Sequence, residues 1–397
     1  MALTKGRVAM DGRGGLMKSD EHKLAWLQAL RGIAALMVVF LHDREALKVA
    51  GLDGAFDAML PLGMGVDLFF LISGYIMVLT TRSFDGSPGY AWRFLVKRFV
   101  RIWPIYAIVT VAYMAVGQHG MSGSGDSGVL IHALEGLVFI PHDPIHFPLY
   151  FQMSVGVAWT LCFEFGFYVV FAAAMLFGRY RYLALTAWFA TTLIVVPAVQ
   201  GTLDFSVSSP RVVYGLRYTA LALNPIVWDF VLGMLAGWVY VSSLRVHRRA
   251  LICGVTAASL LTIVLGWDTL GLVNLHGPRG WGLLVAIAFL GIVLSALARP
   301  FQVPAWMVWL GDVSYSLYLI HVLAFIGVTQ VVARYGPSGP AAGFARFVLQ
   351  PALAILMAVA LYRYIEAPLS TWLRSVLLPG RRVATTDHHQ PGLAVRR

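Results

Sequence analysis

The sequence predicts an all-α integral membrane protein, with about ten transmembrane helices around a polar interior tunnel and both termini in the cytoplasm. Three observations carry that prediction. The chain is 59% hydrophobic and 12% charged, against about 25% charged in soluble domains, and such a composition does not fold in water. Ten apolar runs are long enough to cross about 30 Å of hydrocarbon, and most charges sit in the loops between them. The polar residues inside the runs recur at helical spacing, so they gather on shared faces.

The runs fall near 24–43, 58–80, 101–117, 155–177, 182–200, 219–241, 250–266, 281–298, 312–333 and 343–364. Helix is the structure a bilayer leaves to them, because each backbone polar group must find its partner within the segment. Lys and Arg set the orientation. The N-terminal tail, the loops after runs two, four, six and eight, and the C-terminal tail hold 22, whereas the five alternate loops hold 7. The positive-inside rule then puts both ends in the cytoplasm. The same placement assigns the net charge of +11 to membrane topology rather than to nucleic acid. Cys162 and Cys253 lie in apolar runs, so no disulfide framework is expected. Residues 1–23 read as a polar cytoplasmic tail without a cleavage signal. Residues 24–372 form the membrane domain, and 373–397 a basic, disordered tail facing an anionic leaflet. The loop 118–154 falls outside. Its His132, His142 and His146 come without Cys or an HExxH helix, so no metal set is assigned to them.

Run one carries Arg31 and His42. Eleven residues at about 100° each return to within roughly 20° of the starting azimuth, about 16 Å further on. Both groups therefore project from one stripe, a guanidinium in the cytoplasmic half and an imidazole near the outer end. A charged Arg within a span points into a polar interior by default, although Arg31 alone could snorkel.

In run two, Asp67 and Gly74 share a face with Ser73 beside them, and a buried carboxylate there needs a cation or donor from another helix. The segment WRFLVKRFVRIWPIY places Lys97, Arg98 and Arg101 at the cytoplasmic start of run three. They read as a topogenic anchor or as a phosphate clamp. In the second reading Arg98 and Arg101 act together and Lys97 points elsewhere. Run four opens with Trp159 and Thr160 and then holds Glu164, with Tyr168 one turn further on the same face. Run nine carries Ser314, Tyr318 and His321 as one stripe, either interhelical glue or cavity lining. Glu366 follows Arg363 by three, which predicts a local pair.

RGIAALMVVFLH, GVDLFFLISGYIM, FLVKRFVRIWPIY, WTLCFEFGFY and GDVSYSLYLIH, in this order, resemble the bacterial membrane acyltransferase-3 family, and most closely its exopolysaccharide O-acetyltransferases. The resemblance covers roughly 24–372, and Arg31 and His42 match the family's Arg-to-His spacing. The chain departs from some members by lacking an esterase-like domain after the last span, so the chemistry is expected within the membrane domain or with a partner. The resemblance implies an inner-membrane enzyme that moves an acyl group, usually acetyl, from cytoplasmic acyl-CoA to a hydroxyl of a glycan or lipid-linked saccharide. Acetyl-CoA is then a co-substrate rather than a resident cofactor, and polysaccharide-assembly proteins are candidate partners. On that reading His42 is a general base, Arg31 and Glu164 complete the catalytic set, and Arg98 and Arg101 hold the donor phosphates. Asp67, Ser73, Trp159, Tyr168, Ser314, Tyr318 and His321 line the cavity or meet the acceptor. The rival class is a transporter or flippase of lipid-linked sugars, which more often shows inverted repeats; no such halves are evident, although NPIVWD at 224–229 interrupts run six.

Overall fold

A computed structural model describes residues 12–116, 126–141, 153–207, 217–242, 249–272, 276–298 and 302–378. Among the described residues every regular element is helical. The longer helices, in chain order, are α1 (Gly12–Val49), α2 (Met64–Thr80), α3 (Pro88–Ala115), α4 (Asp126–Leu137), α5 (Trp159–Met175), α6 (Arg181–Ala190), α7 (Val227–Val241), α8 (Arg249–Gly266), α9 (Trp281–Ala298), α10 (Ala305–Tyr335), α11 (Pro340–Leu361) and α12 (Ala367–Leu377). A π-helical turn, Thr191–Val195, extends α6, and another, Tyr362–Glu366, joins α11 to α12.

Eight helical stretches among the described residues are long and apolar enough to cross a membrane. The other two of the ten predicted runs fall on α3 and α7. α3 holds Arg98 and Arg101 within its length, which lowers its hydropathy. α7 has 15 residues, about 22 Å at 1.5 Å each, because its run is broken just upstream. There Pro225 has no N–H to give, and Asn224 Oδ1 accepts the Ile226 amide at 3.0 Å, the local competition that turns a chain. His142, His146 and the chain beyond 378 lie outside the described residues.

Apolar helices in lipid gain no hydrophobic drive from meeting, so close backbone packing decides which of them pair. Two crossings show this. A Cβ at Gly74 of α2 would sit 2.1 Å from Phe230 O of α7, and one at Gly233 of α7 would sit 2.1 Å from Leu71 O of α2. At the α1–α10 crossing, a Cβ on Gly311 would lie 2.0 Å from Gln28 O. Only glycine fits at either place. The second crossing sets Arg31 of α1 beside Ser314 of α10.

Stacked rings fill the space between α2, α5 and α7. The centroid of Phe230 lies 4.7 Å from that of Phe70 and 4.3 Å from that of Phe167, at the short end of the range of favourable aromatic pairs. α3 is fixed at its proline. Pro104 cannot donate to Val100 O, and the Ser370 hydroxyl of α12 approaches that oxygen at 3.5 Å. The Tyr315 hydroxyl of α10 donates to Ile102 O at 2.5 Å. These contacts fix the height of Arg98 and Arg101 against α10.

Candidate active site

α1, α2, α3, α5 and α10 enclose a chamber of about 60 Å³ lined by Arg31, Ser73, Arg98, Arg101, Thr160, Glu164, Tyr168, Ser314 and Tyr318, with apolar residues between them. Five separate stretches of sequence thus put their polar residues into one space. Arg31 Nη1 donates to Gln28 Oε1 at 2.8 Å. Arg98 Nη2 donates to Thr80 Oγ1 at 3.0 Å, and its guanidinium lies 5.4 Å from the ring centroids of both Phe94 and Tyr168. Tyr168 donates to Glu164. Arg101 has no hydrogen-bond partner among the described residues, so its donors face the space it lines. With three guanidiniums and one carboxylate in the lining, the chamber favours an anion.

At one end the chamber meets a wider basin of about 930 Å³, and Arg98 and Arg101 line both. The basin adds Arg82, Arg93, Lys97 and Arg374, together with Tyr90 and Phe94. Lys97 does not point away but faces the basin with the arginines. Arg93, Lys97 and Arg101 are four apart and form one stripe, which comparing Lys97 with its two nearest basic neighbours overlooks. Leu24, near the start of the chain, and Arg374, near the end of α12, both line the basin, so the two ends of the domain lie at the same end of the bundle.

Tyr318 closes the other end. Its hydroxyl lies 2.8 Å from both Thr160 Oγ1 and Val157 O, and Phe69 packs edge-on against its ring at 5.7 Å. One turn further along α10 stands His321, fully buried, with Nε2 3.3 Å from Nδ1 of an exposed His42. Neither histidine lines the chamber. Arg31 and His42 share one helix, but Arg31 lines the chamber and His42 stands outside its lining.

Asp67 and Trp159 also lie outside the chamber lining. The Asp67 carboxylate is fully buried and takes His276 Nδ1 at 2.7 Å and the Gly277 N–H at 2.8 Å. It thereby pins the segment before α9 to the start of α2. Trp159 has its ring 5.8 Å from that of His276. Glu366 departs from the sequence reading as well. Arg363 is exposed and lies over Tyr364, whereas Glu366 is buried and accepts the Ser316 hydroxyl at 2.6 Å. The π-turn inserts a residue into the helix and rotates Glu366 inward, a device that recurs at functional positions.

Several site residues escaped the sequence reading. Gln28 and Asp312 sit near the starts of apolar runs one and nine and look like solvated ends; only the crossing of α1 and α10 reveals their contact at 2.7 Å. Ser316 is one of many span serines. His276 lies in a loop whose partner is 209 residues away in sequence.

Fold and site together define a polytopic membrane protein whose interior holds a cationic chamber fed from a basic basin at one end. The chain belongs to the acyltransferase-3 family: the family model, described as an acyltransferase domain, matches residues 24–363. That membership makes it a membrane acyltransferase. It is 29% identical over 311 residues to the exopolysaccharide production protein ExoZ of Rhizobium meliloti (strain 1021), covering 77% of this chain and 88% of ExoZ. It is 25% identical over 372 residues to the peptidoglycan O-acetyltransferase OatA of Listeria monocytogenes, covering 86% of this chain. It spans only 55% of OatA's length. No solved structure matches the chain.

Proposed function

We propose that this protein is an inner-membrane O-acyltransferase. It moves an acyl group, acetyl in the first instance, from cytoplasmic acyl-CoA to a hydroxyl of an envelope or exported polysaccharide or its lipid-linked precursor. The observation that carries the reading is the sharing of Arg98 and Arg101 between basin and chamber. A donor with several phosphates and a narrow thioester arm fits that shape, with the phosphates in the basin and the arm pointing inward. The basin gathers six cations, and Arg matches phosphate oxygens bidentately. Counting charge by side, with 22 Lys and Arg against 7, assigns the basin end to the cytoplasm. Both termini then lie inside, and residues 24–372 are the catalytic domain.

In this account the donor passes Arg31, held by Gln28, and a donor phosphate oxygen is gripped and oriented there. Glu164, bound by Tyr168, keeps the passage from being uniformly cationic. His42 takes the proton of the acceptor hydroxyl, an imidazole being matched to proton transfer near neutral pH. Trp159, Asp67 and His276 stand on the acceptor side. The names of ExoZ and OatA support a saccharide acceptor. A chamber of about 60 Å³ holds a few waters and not the arm, so donor binding must widen it at the Tyr318–Thr160 contact.

The test is acyl incorporation into envelope glycan by cells carrying the wild-type chain or His42→Ala. Loss of incorporation with the protein still present in the membrane is expected. Incorporation by His42→Ala at the wild-type level refutes the assignment, and glycan movement without acyl transfer would establish the transporter instead.

A further inference from the structure

The contact between His42 and His321 fixes where the protons sit on both rings. A backbone carbonyl only accepts. His321 Nδ1 lies 3.3 Å from Leu317 O, so that nitrogen carries the hydrogen and the lone pair of a neutral His321 is on Nε2. His42 Nδ1 lies 2.9 Å from Val38 O, so it too carries its hydrogen. The His42 N–H is then shared between Val38 O and His321 Nε2, the latter at 3.3 Å, as a three-centre bond. Any other arrangement sets a lone pair against a carbonyl. What remains is His42 Nε2, without hydrogen, on an exposed ring.

We infer that His321 is a positioning residue for acyl transfer: its buried Nε2 lone pair, with Val38 O, holds His42 as the Nδ1–H tautomer so that Nε2 is the basic atom offered to the acceptor. This rests on the reading of His42 as the base. As the acceptor oxygen forms its bond to the acyl carbon, its proton goes to His42 Nε2. The carbon–sulfur bond breaks, the electron pair leaves with sulfur, and the proton returns from Nε2 to the thiolate, giving the ester and free thiol. Throughout, the Nδ1–H stays directed at a carbonyl and a lone pair, both of which strengthen as the imidazolium forms. In other enzymes a carboxylate orients a histidine in this way; here a second, uncharged imidazole does so. His321 is itself fully buried, so it acts through His42 and not on substrate.

The experiment uses the full-length protein in lipid nanodiscs, as wild type, His321→Leu and His321→Gln. Acetyl-CoA is the donor and a soluble oligosaccharide of the host's own exopolysaccharide the acceptor. The tautomer of His42 is read by nitrogen-15 resonance in histidine-labelled protein, with His42→Asn identifying its signals. Wild type should show His42 protonated at Nδ1 and bare at Nε2. His321→Leu should lower kcat on the order of 100-fold, short of the roughly 10⁴-fold of a fully mis-set tautomer because Val38 O still accepts the Nδ1–H, with donor KM unchanged and a minor second His42 tautomer appearing. His321→Gln, whose side-chain oxygen replaces the lone pair, should recover to within about tenfold of wild type. Should His321→Leu not accumulate, the wild-type tautomer and the Gln variant decide. A wild-type His42 protonated at Nε2, or full kcat in His321→Leu, overturns the inference. Full activity in His42→Ala overturns instead the reading of His42 as base, and leaves the tautomer measurement standing.

Discussion

Gln28 Nε2 donates to Asp312 Oδ1 at 2.7 Å, while Gln28 Oε1 accepts from Arg31 Nη1 at 2.8 Å. The carboxylate only accepts and the guanidinium only donates, so the amide can be oriented one way alone. An uncharged side chain thus carries the orienting influence of Asp312 to Arg31 across the α1–α10 crossing. Gln28→Leu keeps the bulk and removes both bonds. Hydrogen bonds to charged groups contribute about 1.5–3 kcal/mol, which predicts a fall in turnover of about ten- to a hundredfold. Steady-state kinetics on the purified variant checks this, and unchanged turnover would separate Arg31 from the chemistry.

Lys97 and Arg93 belong to the basin on the same face of α3 as Arg101. Both are exposed, so their effect on a phosphorylated donor is screened by salt. Arg93→Ala combined with Lys97→Ala should raise the donor's Kd about tenfold at low salt and progressively less as salt rises, while leaving turnover of bound donor alone. Isothermal titration with a non-hydrolysable acyl-CoA analogue measures it. Affinity that ignores both the substitutions and the salt would return these residues to a topological role.

Glu366 faces inward through its π-turn and is bound by Ser316. Glu366→Gln keeps the hydrogen bond and removes the charge, so the chamber's surroundings become more cationic. The variant should accumulate normally and release acyl-CoA more slowly, by about threefold to tenfold, as expected when an interaction near a bound anion becomes more favourable. Stopped-flow displacement reads that rate. An unchanged rate would place Glu366 outside the donor's field.

Gly74 and Gly233 meet across α2 and α7 with no room for a side chain. Gly74→Val forces the helices apart and should cut the amount of folded protein in the membrane severely, overpacking of this kind costing about 1–3 kcal/mol or more. Fluorescence-detected size exclusion reports it; wild-type levels would mean that the crossing is looser than described.

How much of this was legible beforehand differs between fold and site. Apolar runs show as spans because the bilayer imposes one solution on each of them, and the residues that line the chamber declared themselves as charges and hydroxyls at helical spacing. What did not show was which stripe faces which. Lys97 diverges from Arg98 but shares a face with Arg93 and Arg101, four residues either side, and the Arg363–Glu366 spacing makes a pair in a regular helix but not across a π-turn. Asp67 is a clear case of a carboxylate whose need for a partner is legible while the partner, His276, is not, since nothing local links the segment before α9 to α2. The separation of His42 from the chamber likewise depends on Tyr318, a residue that reads as one member of a stripe.

The account turns on a donor entering through the basin and losing its acyl group on the far side at His42. The most direct measurement is release of free CoA thiol by the purified protein in proteoliposomes, with acetyl-CoA supplied only on the basin side and acceptor glycan only on the other. The account predicts glycan-dependent thiol release by the wild-type chain, none by His42→Ala, and strong reduction when Arg98 and Arg101 are both replaced by Ala. Glycan-dependent release that persists in His42→Ala, or that requires acetyl-CoA on the same side as the glycan, would contradict it.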